Sequence, residues 1–143
     1  MDELSLERAQ AILAHGSEKV RADLNKAACL SVCDRYGFLL AFARMDAAPV
    51  RSIQLAQQKA YTCARIGTST EAFLARLRRE DVPIGYFCDP LLTALPGGAV
   101  LSDAHGNASG AIGVSGLTPA EDQAIADDMA RFGSGYGASA SHL

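Results

Sequence analysis

The run Gly110-Ala111-Ile112-Gly113-Val114-Ser115-Gly116, followed at once by Leu117-Thr118-Pro119-Ala120-Glu121-Asp122, constrains this chain more than any other stretch. A glycine inside an apolar strand marks a place where another backbone or a ligand comes close. The residues after it announce a helix: Thr118 fits the N-cap, Pro119 the first helical position, and Glu121 the closing position of a capping box. Strand, tight turn and helix N-terminus therefore meet in one short segment. Such a junction offers unpaired N–H groups beside the positive end of a helix dipole. Two readings follow: a glycine-lightened strand packed under a helix, or a seat for an anionic ligand.

The chain has 143 residues, the size of one domain with one substantial core. Its formal net charge of −3 leaves no basic stripe, and Arg76-Leu77-Arg78-Arg79 reads as the solvated face of a helix, so nucleic acid is not an expected partner. The N-terminus is acidic, and no apolar run approaches the roughly 20 residues of a membrane span. The expectation is a cytoplasmic protein without a membrane partner. Cys29, Cys33, Cys63 and Cys88 contain no CxxC pair. On a single strand Cys29 and Cys33 would lie about 13 Å apart, beyond disulfide reach. Four free thiols and no zinc site are expected.

Helical spacing of Leu6, Ala9, Ile12, Leu13, Gly16 and Val20 predicts a helix from an N-cap at Ser5 to about Leu24. His15 projects about 120° from the centre of that stripe, onto its flank, where it suits a partner-facing site better than a buried one. Two strand-length apolar runs, Ala27–Cys33 and Phe38–Met45, joined by Asp34-Arg35-Tyr36-Gly37, predict a hairpin covered on both faces. A second helix spans Arg51 to about Ile66, with Ile53, Ala56, Ala60 and Ala64 as its close-packing stripe and Lys59 beside it. Thr68-Ser69-Thr70-Glu71 is a capping box starting a third helix toward Arg79. The segment from Val82 to Pro96 has no clear period and is long for a connection. Gly97-Gly98, the strand Ala99–Leu101, the turn Ser102–Asn107 and the strand Ala108–Val114 form a second hairpin. The last helix runs from Pro119 to about Phe132, and residues 133–143 read as a flexible glycine- and serine-rich tail after a single domain at 1–132. Helices gathered around antiparallel strands define an α+β domain.

No nucleophile elbow, P-loop, HExxH or dinucleotide fingerprint is present. The order Leu30-Ser31-Val32-Cys33-Asp34, Gly37 to Asp46, Lys59-Ala60, Gly97-Gly98, Gly110 to Gly116 and Asp122 resembles the GlcG/HbpS family of haem-degrading or haem-binding proteins, which carries the DUF336 domain. The resemblance spans roughly Leu4 to Phe132. It implies a profilin-like α+β fold, a central antiparallel sheet flanked by helices, and a homo-oligomer, dimer or larger. It also implies a varied functional record: some members bind haem, one is a domain attached to a cobalamin adenosyltransferase, and many are encoded in catabolic operons. Two departures, Ala99 where relatives place a residue before proline and the polar turn Asp103–Asn107, fall where they would alter a ligand rather than the fold.

If Arg44, at the exit of the second strand, converges with Gly97, Gly98, Gly113, Ser115, Gly116, Thr118 and Asp122, the result is a small concave site with one guanidinium and several backbone donors. That set suits a carboxylate-bearing molecule, either haem or a small organic acid. Asp46 and Lys59 are the candidate acid–base residues of an enzyme. His15, His105 and Met45 are the candidate iron ligands if haem binds. Three functions stay open: a binding protein for haem or another small-molecule anion, a small enzyme acting on an organic acid, and a non-catalytic accessory oligomer.

Overall fold

The computed structural model describes residues 3–141, with side chains described as far as Ser134. Helix α1 (Leu6–Lys19) starts as predicted, the Ser5 hydroxyl accepting from the Arg8 N–H. Its predicted last turn is instead a π-turn over Val20–Leu24, closed by Asn25 in the left-handed region at φ 51°. The chain continues as β1 (Cys29–Asp34), β2 (Leu39–Arg44), α2 (Ser52–Ile66), α3 (Thr70–Glu80), a 3-10 turn (Ile84–Phe87), β3 (Gly98–Ser102), β4 (Ala108–Ser115) and α4 (Pro119–Ser141). Ser69, not Thr68, caps α3, accepting from the Ala72 N–H. Helix α4 runs to Ser141, through the segment that reads as a tail; the last two residues of that segment lie outside the described residues. Gly133 belongs in the helix for a packing reason: a Cβ there would meet the Leu101 and Ile12 side chains at 2.7 and 2.9 Å.

The four strands form one antiparallel sheet in the order β2-β1-β4-β3. The hairpins therefore join through their inner strands, with Leu30 opposite Val114 and Val32 opposite Ile112. One face carries Leu30, Val32, Ala99, Leu101, Ile112 and Val114 against Ile12, Leu13, Ile125 and Met129 of α1 and α4; this is the main core. The other face carries the small residues Cys29, Ser31, Cys33, Gly98, Ala111 and Gly113, with Phe42 and Val100 on the outer strands, and α2 lies directly on the small ones through Ala56, Ala60 and Cys63. Large residues under two helices and small ones under a third let the sheet pack at different depths on its two faces.

Cover on both faces holds for β1 and β4 but not for β2. That strand is an edge, with Leu39 52% exposed, Arg44 exposed and the rest half-buried. The four cysteines are free. No helix among the described residues is long and apolar enough to cross a membrane.

Candidate functional site

The glycine junction that dominates the sequence is filled by the protein itself. A Cβ on Gly113 would overlap the Ala56 carbonyl oxygen, so the strand glycine is there for the backbone of α2. Gly97, at φ 134°, would place a Cβ 2.7 Å from Lys59 Nζ, and Gly98 would place one 2.5 Å from Cys63 Sγ. The donors are spent as well. Gly97 N–H donates to Gln123 Oε1 and Gly98 N–H to Thr70 Oγ1, both at 2.8 Å. Thr118 and Glu121 close the predicted capping box, Glu121 N–H donating to Thr118 Oγ1 and Thr118 N–H to Glu121 Oε1. Leu117 N–H donates to Asp122 Oδ1. Ser115 is buried opposite Cys29, and Gly116, at φ 119°, is crowded by Ser52, Ala28 and Pro49.

Lys59 lies at the centre of this junction, 0% exposed, its ammonium donating to the Val114 carbonyl at 2.8 Å and to Asp122 Oδ2 at 3.1 Å. Burial is the largest influence on both groups: it pulls Lys59 below the usual lysine range and pushes Asp122 above the usual carboxylate range, while each opposes the shift of the other. The pair ties α2 to α4 across the end of β4. It is sealed from any substrate, so the catalytic role expected of Lys59 does not fit its position.

Arg44 is not brought to this junction. It pairs with Cys29 on the edge strand, and β1 and β4 lie between it and β3. At the usual strand spacing that places it about 16 Å from Gly98. It opens instead on a shallow basin with Arg21, Lys26, Met45 and the exposed Asp46. The expected iron ligands do not meet either. His15 Nε2 is 2.7 Å from Asp128 Oδ2, and its ring stacks on Phe132 with centroids 4.2 Å apart. Met45 follows β2 at the Ser115 end of the sheet, its N–H donating to the Ala28 carbonyl. His105 is exposed in the β3–β4 turn, at the opposite end of β4, a strand about 26 Å long.

Among the concave surfaces of the described residues, one is a groove of about 290 Å³ between α2 and the β1–β2 hairpin. Phe38, Leu39, Leu91 and Tyr61 wall it; Gln54, Gln57 and Gln58 line the α2 side; Ser31 and Cys33 lie at its floor. Burial pushes the Cys33 thiol up to about 12, so it stays protonated. Tyr61 OH donates to Asp89 Oδ2 at 2.6 Å, and the Arg65 guanidinium lies over the Tyr61 ring, 4.8 Å from its centroid. Arg65 Nε donates to the Tyr36 carbonyl at 2.7 Å, which sets this cation at the Gly37 end of the groove. None of the groove residues was singled out from the sequence for binding. Two signals were available: Gln54, Gln57, Gln58 and Tyr61 repeat at i, i+3, i+4 and i+7 on the flank of the α2 stripe, and Phe38 and Leu39 are apolar residues at the exit of a turn.

The family described as haem-degrading, HbpS-like proteins matches residues 4–131, nearly the whole chain. The chain belongs to the HbpS-like family. It is 36% identical over 113 residues to protein GlcG of Escherichia coli K12, covering 78% of this chain and 81% of GlcG. Among solved structures, Klebsiella pneumoniae protein ORFY superposes with a TM-score of 0.83 at 27% identity, covering 94% of this chain and 93% of ORFY. A double mutant of Streptomyces reticuli HbpS superposes with a TM-score of 0.82 at 26% identity, covering 92% of this chain and 88% of that one. The α+β fold implied by the sequence resemblance is thus the fold of these HbpS-like proteins.

Proposed function

We propose that this HbpS-like protein is a ligand-binding protein of the haem-related kind, and that it holds a flat, largely apolar, carboxylate-bearing ring in the groove between α2 and the β1–β2 hairpin. The observation that carries this is the groove's make-up. Its apolar side chains are unusually open for their type, with Phe38 64%, Leu39 52% and Leu91 46% exposed, and one cation stands at its end. Exposed apolar walls favour a ring face through the hydrophobic effect, and Arg65 offers a planar fork to a carboxylate. The family's description supplies the haem chemistry; in this chain the groove would take a porphyrin's ring edge, with a propionate toward Arg65. It offers no iron ligand, because Cys33 is a buried neutral thiol and Tyr61 is committed to Asp89.

Titrating the protein with hemin is expected to give a saturable Soret shift, and iron-free protoporphyrin IX is expected to bind within a few-fold of hemin. Leu39→Asp or Tyr61→Ala should weaken both by about tenfold, and Arg44→Ala should leave both unchanged. A Soret shift lost in His15→Ala but untouched in Leu39→Asp would move the ligand to the α1–α4 side and sink the groove. The same open apolar rim, with Val50 at 71% exposure beyond it, supports self-association. Light scattering should report a multiple of the 15.0 kDa chain; a single-chain mass at micromolar concentration would refute assembly.

A further inference from the structure

Ser31 is the one polar side chain at the floor of the groove that is fully buried, at 0% exposure, and its hydroxyl has no hydrogen-bond partner within the protein. An orphaned buried hydroxyl costs about 1–3 kcal/mol relative to a satisfied one; Ser52 and Ser109 carry the same cost elsewhere in the fold, and of the three Ser31 is the one that lines the groove. The groove wall carries the complementary function. Gln57 Nε2 donates to the Ile53 carbonyl at 3.0 Å and Gln58 Nε2 to the Leu91 carbonyl at 3.3 Å, which turns the amide oxygens of both residues free as acceptors. Among the lining residues none carries a formal charge at neutral pH: they are glutamines, a serine, a protonated cysteine, a tyrosine and apolar groups.

A floor with one O–H donor, a wall with amide acceptors and no charge has little affinity for a carboxylate and matches a neutral group with an acceptor next to an N–H. We propose that the groove recognises a lactam edge: a flat, neutral ring whose carbonyl accepts from the Ser31 hydroxyl and whose ring N–H donates to the amide oxygen of Gln57 or Gln58. The walls sandwich the ring between Tyr61 and the Phe38–Leu39 turn. Any carboxylate the ligand carries stays outside, toward Arg65. Ser31 is fully buried, so the ring reaches it only by displacing a groove side chain, and Phe38 and Leu39 are the most exposed of the apolar ones. This inference depends on the groove being the ligand site, as proposed above, and departs from the porphyrin named there, whose ring carries no lactam: it assigns the groove to a flat ring with a carbonyl next to an N–H.

The test uses the intact protein and a lactam fragment, 2-pyridone, with 2-methoxypyridine as the matched ring lacking the N–H and carbonyl pair. Amide chemical shifts are followed by NMR. 2-Pyridone is expected to move the Ser31, Cys33, Tyr61 and Leu91 signals in a saturable way, and 2-methoxypyridine to bind at least tenfold more weakly. Ser31→Ala, which removes one oxygen and leaves no new charge, should abolish the preference, and Ser31→Thr, which keeps the hydroxyl, should restore part of it. Equal binding of the two fragments, or a preference that survives in Ser31→Ala, overturns the lactam assignment. Hemin binding with no fragment preference leaves the ligand-site reading standing and removes only this inference; a Ser31-dependent preference without hemin or protoporphyrin binding removes the haem reading and keeps this one.

Discussion

Lys59→Ala is expected to lower the stability of the fold by about 3–5 kcal/mol, read from the guanidinium unfolding midpoint. The variant leaves the Asp122 carboxylate, itself 3% exposed, without its cation, and leaves the Val114 carbonyl without its donor. Breaking one half of a buried pair costs that much because the remaining charge is stranded away from water. Removing both charges is a smaller insult. Lys59→Met combined with Asp122→Asn should therefore be more stable than Lys59→Met alone, with a coupling of at least about 1 kcal/mol in the double-mutant cycle. The pair also sets a pH dependence. Because Lys59 is held below the usual lysine range in the fold, the folded chain binds fewer protons than the unfolded one just below about pH 10.4, and stability rises with pH through that window. Asp122 is held above the usual carboxylate range, so the folded chain binds more protons just above about pH 3.9, and its contribution to stability rises as pH falls there. In Asp122→Asn the carboxylate no longer opposes the burial of Lys59, and the alkaline rise should be larger than in the natural chain. A Lys59→Ala protein as stable as the natural one would show that the α2–α4 tie carries no weight.

Gly113→Ala should be nearly as damaging, at about 3 kcal/mol or more, equivalent to a drop of roughly 10 °C in melting temperature. The added methyl would overlap the Ala56 carbonyl and sit 2.8 Å from the Ala60 nitrogen. Both atoms belong to the α2 backbone, so no side-chain rotation relieves the clash and the helix must lift off the sheet. Gly85→Ala is the control. Nothing lies within 4 Å of a Cβ there, and its φ is not in the left-handed region, so a change within about 0.5 kcal/mol is expected. Equal melting temperatures for the two variants would contradict the close approach of α2 to β4.

Much of the fold is legible in the sequence because it is written in short-range periodicity. Ser5, Thr118 and Glu121 cap the helices that their positions predict, and Ala56 and Ala60 lie on the sheet as their spacing requires. The errors have a common origin. Gly133 reads as the start of a tail because glycine lowers helix propensity, yet Ile12 and Leu101 leave room there for a glycine and nothing larger. The junction at Gly110–Thr118 reads as an anion seat because its donors are free in a local view. Glu121 and Asp122 take the Thr118 and Leu117 N–H groups from the adjoining first turn, and the neighbouring Gly97 and Gly98 donors go to Gln123 and to Thr70 of α3, which no local view contains.

The sequence by itself determined the elements, the helix caps, the two hairpins and the family, since each depends on residues within a turn or two of one another or on their order along the chain. Only the tertiary structure decided what lies next to what. Each hairpin has two edges, and local patterning does not say which edges join. Burial of Leu30, Val32, Ile112 and Val114 under α1 and α4 is best served by joining β1 to β4, and that choice alone sends Arg44 to the far edge, away from Gly97 and Gly113. The same choice leaves Phe38 and Leu39 uncovered beside α2 and creates the groove. A pairing between strands some eighty residues apart is favoured by the apolar surface it buries.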